Sequence, residues 1–226
     1  ASVIAGEVTP LVAGDVYCSV LEGCRETFDL RRAYEWTASL AQWCATQPDL
    51  VPYRGQCLLY RAEVLQLRGQ WNEAARDAQG ACELLLSRAA AGAAFYRCGE
   101  IHRLRGEFTK AEEGYTRAHE RGRKPQPGLS LLRLAQGQID AAAASIRSAL
   151  LDTQEQISRA RVLPAAVEIL LAADDLATAR AASTELSEIA LAFGAPLLAA
   201  ASAHATGAML LAEGDNEGAS TSLRQA

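Results

Sequence analysis

The sequence is short of the residues that build sheets and grip polyanions. Aromatics make up 6% of its 226 residues, and Val, Ile, Thr and Tyr are too thinly spread to furnish many strands. Lysine is nearly missing, with only Lys110 and Lys124, and the formal net charge is -5 with a pI near 5.3. A basic stripe of the kind a phosphate backbone demands is therefore absent, and DNA is expected to be met only through a domain outside this chain. The six cysteines (Cys18, Cys24, Cys44, Cys57, Cys82, Cys98) contain no C-x-x-C, and the three histidines stand far apart. Zinc-ligand spacing is missing, and no cofactor is expected. Neither G-x-G-x-x-G nor a Walker pattern occurs. No run of about 18 apolar residues could cross a bilayer, so no membrane partner is expected. The start, ASVIAGEVTPLVAG, has no basic n-region or long apolar stretch. The cysteines accordingly read as small core residues in a reducing, cytoplasmic compartment.

What the sequence does have is helix-forming material. Half of it is hydrophobic, and the dominant Ala, Leu, Arg, Glu and Gln favour an all-α fold with a core that needs no staples. A turn-and-helix signature recurs as FDLRRA, GQWNEA, GEFTKA, GQIDAA, DDLATA and GDNEGA. Its alanines are Ala33, Ala74, Ala111, Ala142, Ala179 and Ala219, separated by 41, 37, 31, 37 and 40 residues. A period in the high thirties fits a two-helix unit. The Gly or Asp ends the first helix in a left-handed or turn conformation, and the small Ala lets the second helix pack closely on the first. Leu58, Ala62 and Leu65, and again Phe95, Gly99 and His102, mark the buried stripes of two first helices.

This pattern resembles the tetratricopeptide repeat, best over Pro52 to Leu85 and Ala91 to Lys124. The resemblance implies a tetratricopeptide-like helical-hairpin solenoid of about six degenerate repeats, forming one domain over residues 1–226. Irregularity is expected between 122 and 165: only about two turns, Leu129 to Ala135, are left for a first helix after Pro125-Gln-Pro127-Gly128. Pro164 then either starts a helix or kinks one. The strings VAGDVYCSVLEGCRETFDLRRAYEWT, LVPYRGQCLLYRAEVLQLRGQW, GEIHRLRGEF and PQPGLSLLRLAQG are similar to the helical-repeat region of actinobacterial LuxR-type transcriptional regulators. That resemblance implies the sensory or assembly part of such a regulator, whose helix-turn-helix lies elsewhere. The closing stretch GDNEGASTSLRQA is neither basic nor long enough to be a DNA reader.

Eleven residues before the recurring Ala, four repeats carry a glutamate: Glu22, Glu63, Glu100 and Glu168. In tetratricopeptide repeats this position lies on the first helix, on the concave side, so an acidic ladder inside a groove is expected. Arg25, Gln66 and Arg103 follow three residues later on the same helical face, and Tyr60 and Arg97 come one turn earlier. Two readings stand. The groove receives a peptide, a partner protein, a basic segment or a small cationic ligand through charge-assisted hydrogen bonds, or each Glu pairs with an Arg along the helix or in the next repeat and holds the stack in register.

Catalysis finds no constellation. His102 and Cys98 fall at core positions, nothing supplies an oxyanion site or an orienting third group, and the chain reads as a non-enzyme. Arg121-Gly122-Arg123-Lys124 reads as a solvated helix terminus, and Trp36, Trp43 and Trp71 fit packing between helices. The chain opens on Ala1 and stops at Ala226 within a helical pattern, which is expected of a fragment. Without capping repeats the end faces are apolar, and a homodimer through them is among the states the sequence allows.

Overall fold

A computed structural model describes residues 9–46, 51–86 and 90–226. Most of the opening segment discussed above, and Leu50 of the quoted string, lie outside the described residues. The described residues form twelve helices and no strand. They gather into two compact units, residues 1–125 and 126–226.

In the N-terminal unit the hairpins are α1 (Pro10–Glu26) with α2 (Leu30–Ala45), α3 (Val51–Leu67) with α4 (Trp71–Leu85), and α5 (Ala91–Leu104) with α6 (Phe108–Glu120). In the C-terminal unit they are α7 (Gly128–Ala135) with α8 (Ile139–Asp152), α9 (Gln156–Ala172) with α10 (Leu176–Phe193), and α11 (Pro196–Ala212) with α12 (Asn216–Leu223). Within each unit, every helix packs on the next, and successive first helices also touch: α1 on α3 on α5, and α7 on α9 on α11. This is the stacking of helical hairpins that the repeat predicts.

One turn closes all six hairpins. Its left-handed residue is Gly69, Gly106, Gly137 or Gly214 in four of them, at φ between +74° and +86°, and Phe28 and Asp174 in the others, at +56° and +57°. The next amide then reaches back to a carbonyl five residues earlier: Asp29 to Cys24, Gln70 to Leu65, Glu107 to His102, Gln138 to Arg133, Asp175 to Leu170 and Asp215 to Leu210, each at 2.9 Å. That bond satisfies a carbonyl the helix end leaves open. Where the residue after the turn is Asp29, Asp175 or Asp215, its carboxylate also accepts the amide of Arg32, Thr178 or Gly218, a cap worth about 1 kcal/mol. The recurring alanine is the fourth residue of each second helix and is buried in all six hairpins. The turn and the small residue together set how closely the two helices approach.

In α5 and α6 the approach brings backbone onto backbone. A Cβ on Gly114 would stand 2.8 Å from the Gly99 nitrogen and 2.9 Å from its Cα, and a Cβ on Gly99 would meet the Tyr115 ring at 2.8 Å. Elsewhere in the unit, aromatics fill the space: Tyr17 contacts Trp36 and Trp43 with ring centroids 5.6 Å apart, and Trp43 reaches Tyr53 at 6.2 Å. Such pairs add roughly 0.5–1.5 kcal/mol each beyond their buried area. Trp71 departs from the packing expectation. At the first position of α4 it stays 42% exposed.

The short first helix expected after Pro127 is α7, of eight residues. Pro164 does not start a helix. α9 begins at Gln156, where Glu155 caps the amides of Ile157 and Ser158, so the proline sits inside it and removes one helical hydrogen bond. All six cysteines are free; five are buried and Cys18 is half-buried. Among the described residues no helix is long and apolar enough to cross a membrane.

Candidate functional site: the first-helix face of the N-terminal unit

Because the first helices α1, α3 and α5 lie side by side, residues at one register of the repeat become neighbours across about 38 positions of sequence. Glu22 accepts from the Tyr60 hydroxyl at 2.8 Å and pairs with Arg25 at 3.1 Å. Arg25 also reaches forward to Glu63 at 2.9 Å, and Arg97 reaches back to the other oxygen of Glu63 at 3.0 Å. Arg97 further donates to Gln66 at 2.8 Å. Glu63 is thus held from both neighbouring hairpins. Glu100 is buried, accepts from the Tyr115 hydroxyl and pairs with Arg103 at 3.2 Å. Six of the nine predicted residues, Glu22, Arg25, Tyr60, Glu63, Gln66 and Arg97, are thus joined in one network across α1, α3 and α5, and Glu100 and Arg103 form a second cluster with Tyr115.

Glu168 stands apart. It belongs to α9 of the C-terminal unit, is exposed, and makes no ion pair or side-chain hydrogen bond among the described residues.

Partial burial strengthens these pairs and is felt in the titration of their members. Burial pulls the Arg25 guanidinium down, but Glu63, Glu22 and Tyr60 outweigh it and raise its pKa. Arg103 behaves in the same way, with burial opposed by Glu100 and Tyr115. Burial, and then Glu22, push the Tyr60 phenol up, and burial with Glu100 does the same to Tyr115. The hydroxyls remain donors to carboxylates at neutral pH.

Arg123 also belongs to this face, where a solvated terminus was expected. Just past the end of α6 comes Gly122, with φ +79°, and the Arg123 amide folds back onto the Ala118 carbonyl at 3.0 Å. This is the same turn that closes the hairpins, and it returns the residue after the glycine onto the helix pair. The Arg123 guanidinium then lies over the Tyr96 ring at 4.5 Å. Its Cβ comes within 3.0 Å of where a Cβ on Gly92 would be. Burial, reinforced by Arg97 and Arg25, holds the Arg123 pKa below the guanidinium range, against Tyr96 and Glu63. Its signal in the sequence was Gly122 followed by a residue placed to fold back.

Two other clefts hold groups already paired with one another. A cleft of about 530 Å³ between α2, α3 and α4 is lined by Tyr34, Glu73, Arg76 and the Arg61–Asp77 pair, whose two bonds of 2.5 and 2.6 Å occupy both carboxylate oxygens. A second, of about 410 Å³, holds Cys98 and His102. The Cys98 sulfur meets Cys82 Sγ at 3.2 Å and the imidazole Nδ1 meets Glu107 at 2.9 Å, so no hydrogen bond joins thiol to imidazole. His102 is half-buried and paired with Glu107, where a core position was expected. Among the described residues no group of His, Cys, Asp and Glu is placed to hold a metal ion.

No protein-family model matches the chain, and no curated protein matches it. Among solved structures it is similar to a tetratricopeptide repeat protein from Parabacteroides merdae, with a TM-score of 0.59 and 16% identity over 97% of this chain and 79% of that one. YrrB, a tetratricopeptide repeat protein with an unusual peptide-binding site, aligns at a TM-score of 0.41 and 15% identity over 75% of this chain and 82% of that one. The first likeness shows that the fold of this chain is that of tetratricopeptide-type helical hairpins.

Proposed function

We propose that the chain is a non-catalytic binding module whose N-terminal unit takes a peptide, a partner protein or a small molecule on the face of α1, α3 and α5. The observation that carries this reading is the continuous row from Glu22 and Tyr60 through Arg25, Glu63, Arg97 and Gln66. Three successive hairpins present charged donors and acceptors at one register, and a bound chain running across the hairpins meets a repeating polar pattern. The row also holds the hairpins in register, because Glu63 is bridged from both sides. Isotope-labelled protein of residues 1–226, titrated with a peptide selected from a random library, tests the reading. Amide shifts are expected in α1, α3 and α5. Shifts confined to α2, α4 and α6, or to the C-terminal unit, defeat it.

Within that reading, the chain is the sensory part of a LuxR-type transcriptional regulator, supported by the four strings quoted above, and it meets DNA only through a domain beyond residues 1–226. A stand-alone tetratricopeptide adaptor with no role in transcription fits the same polar row equally well. Either works in the cytoplasm, as single chains or as a homodimer. Reading the gene on both sides of this segment separates the two: a short domain with a basic recognition helix supports the regulator, and its absence supports the adaptor.

A further inference from the structure

We infer that the face of α1, α3 and α5 receives an acidic peptide segment, one of whose side-chain carboxylates is taken by Arg123 where it lies over Tyr96. The inference rests on the binding reading above and specifies the charge of the ligand.

The carboxylates of the face are already spent. Glu22 is taken by Tyr60 and Arg25, Glu63 by Arg25 and Arg97, and Glu100 by Tyr115 and Arg103. A cationic ligand must displace a guanidinium from one of these pairs before it gains a partner. Three of the cations are matched in the same pairs, and Arg123 is not. Arg25, Arg97, Arg103 and Arg123 face these three glutamates, so the positive groups outnumber the negative. Arg123 in particular meets no carboxylate or other hydrogen-bond acceptor among the described residues, and its Nε is buried without a partner. The Nε groups of Arg97 and Arg103 are also buried without an acceptor.

Stripping a guanidinium of water without supplying a counter-charge is unfavourable. At Arg123 burial prevails, with Arg97 and Arg25 repelling it against the attraction of Tyr96 and Glu63. A carboxylate arriving at Arg123 removes that penalty. Its two oxygens match the planar fork of the guanidinium, a geometry an ammonium cannot reproduce. The stacking of Arg123 on Tyr96, and the close fit of its stem against Gly92, fix the fork before the ligand arrives and lower the ordering cost of binding.

The test uses residues 1–226 and three fluorescein-labelled, C-terminally amidated decapeptides: one with glutamates spaced by Gly and Ser, one with lysines at the same positions, and one with neither. The acidic peptide is expected to bind, to weaken as salt is raised, and to lose affinity about tenfold or more in Arg123→Gln, as loss of a charge-assisted contact implies. Arg123→Lys is expected to recover only part of that loss. Arg31→Gln removes an exposed charge on α2 and is expected to change nothing. The melting temperature of free Arg123→Gln is expected to stay level or rise, since an unbalanced charge has been removed.

Preference for the lysine peptide overturns the inference while leaving the binding reading intact, provided its amide shifts map to α1, α3 and α5. An unchanged affinity in Arg123→Gln overturns it as well. Failure of all three peptides overturns it, and the library-selected peptide then decides the broader reading. Two competitors identify the source of the charge. Inorganic phosphate displacing the acidic peptide more strongly than glutarate rejects a carboxylate. A free C-terminus binding better than the amidated glutamate peptide rejects a side-chain carboxylate.

Discussion

The two units are built on one plan and carry different chemistry. Their hairpin turns share a left-handed residue at one position, the same 2.9 Å bond and the same buried alanine. Yet all six cysteines, all six tyrosines, all three tryptophans and both lysines precede residue 126. The register that reads Glu22, Glu63 and Glu100 in the N-terminal unit reads Leu131, Glu168 and Ala208 in the other. The register of Arg25, Gln66 and Arg103 becomes Leu134, Leu171 and Leu211. Ion pairs of the C-terminal unit, such as Arg147–Asp175 and Arg159–Glu185, join a second helix to a turn or to its own hairpin partner. Neither of these joins one first helix to the next. The plan is therefore satisfied by very different first-helix faces. Selection for a polar row at this register is a separate matter from selection for the fold.

Gly114→Ala breaks the comparison hardest. The equivalent second-helix positions in the C-terminal unit are Ser145, Ala182 and Ser222, so a side chain is tolerated there. On α6 the added Cβ meets backbone of Gly99 and the Phe95 carbonyl, at 2.8 to 3.1 Å, and backbone cannot swing aside. The substitution is expected to cost about 3 kcal/mol, the upper end of overpacking, read as a lowered denaturant midpoint for loss of helical circular dichroism. Alkylation of the cysteines, which all report on the N-terminal unit, is expected to accelerate in step.

Next in size is the contrast between two glutamates at one register. Glu63→Gln leaves Arg97 largely buried without a carboxylate and Arg25 with Glu22 alone, and is expected to cost about 1–2 kcal/mol. Glu168→Gln, on an exposed site with no partner, is expected to stay within about 0.5 kcal/mol. Equal effects in the two variants, measured by denaturation, remove the distinction between the units.

Much of the fold was legible because its determinants are local. A residue suited to the left-handed region, an apolar residue two positions on and an alanine three further on lie within six residues, and each has a steric reason to be there. The glutamate register was legible for the same reason. What was not legible is the pairing. Nothing near Glu63 in sequence says that Arg25 and Arg97, 38 residues before and 34 after, meet it from both sides. Nor does the composition of Arg121 to Lys124 say that one of these cations turns back under Gly122 while Arg121 and Lys124 remain exposed. Phe28 escaped notice as a left-handed residue because a bulky side chain is disfavoured there. Its burial against the hairpin offsets that cost.

The smallest effect belongs to the turn that the C-terminal unit builds without glycine. Asp174 adopts φ +57° and is exposed, with no side-chain hydrogen bond among the described residues. The adjacent Asp175 supplies the cap to Thr178 and the pair with Arg147. Left-handed backbone costs a non-glycine residue up to roughly 1–2 kcal/mol, less for Asp, and glycine gives back part of any gain through its greater freedom in the unfolded chain. Asp174→Gly is therefore expected to stabilise by about 0.5 kcal/mol. The reverse change, Gly106→Asp in the N-terminal unit, is expected to destabilise by a similar amount, because no Cβ contact opposes it there. Matched, opposite shifts in denaturant midpoint mark the turn as one shared device in both units. A loss of stability in Asp174→Gly instead assigns that aspartate a contact of its own.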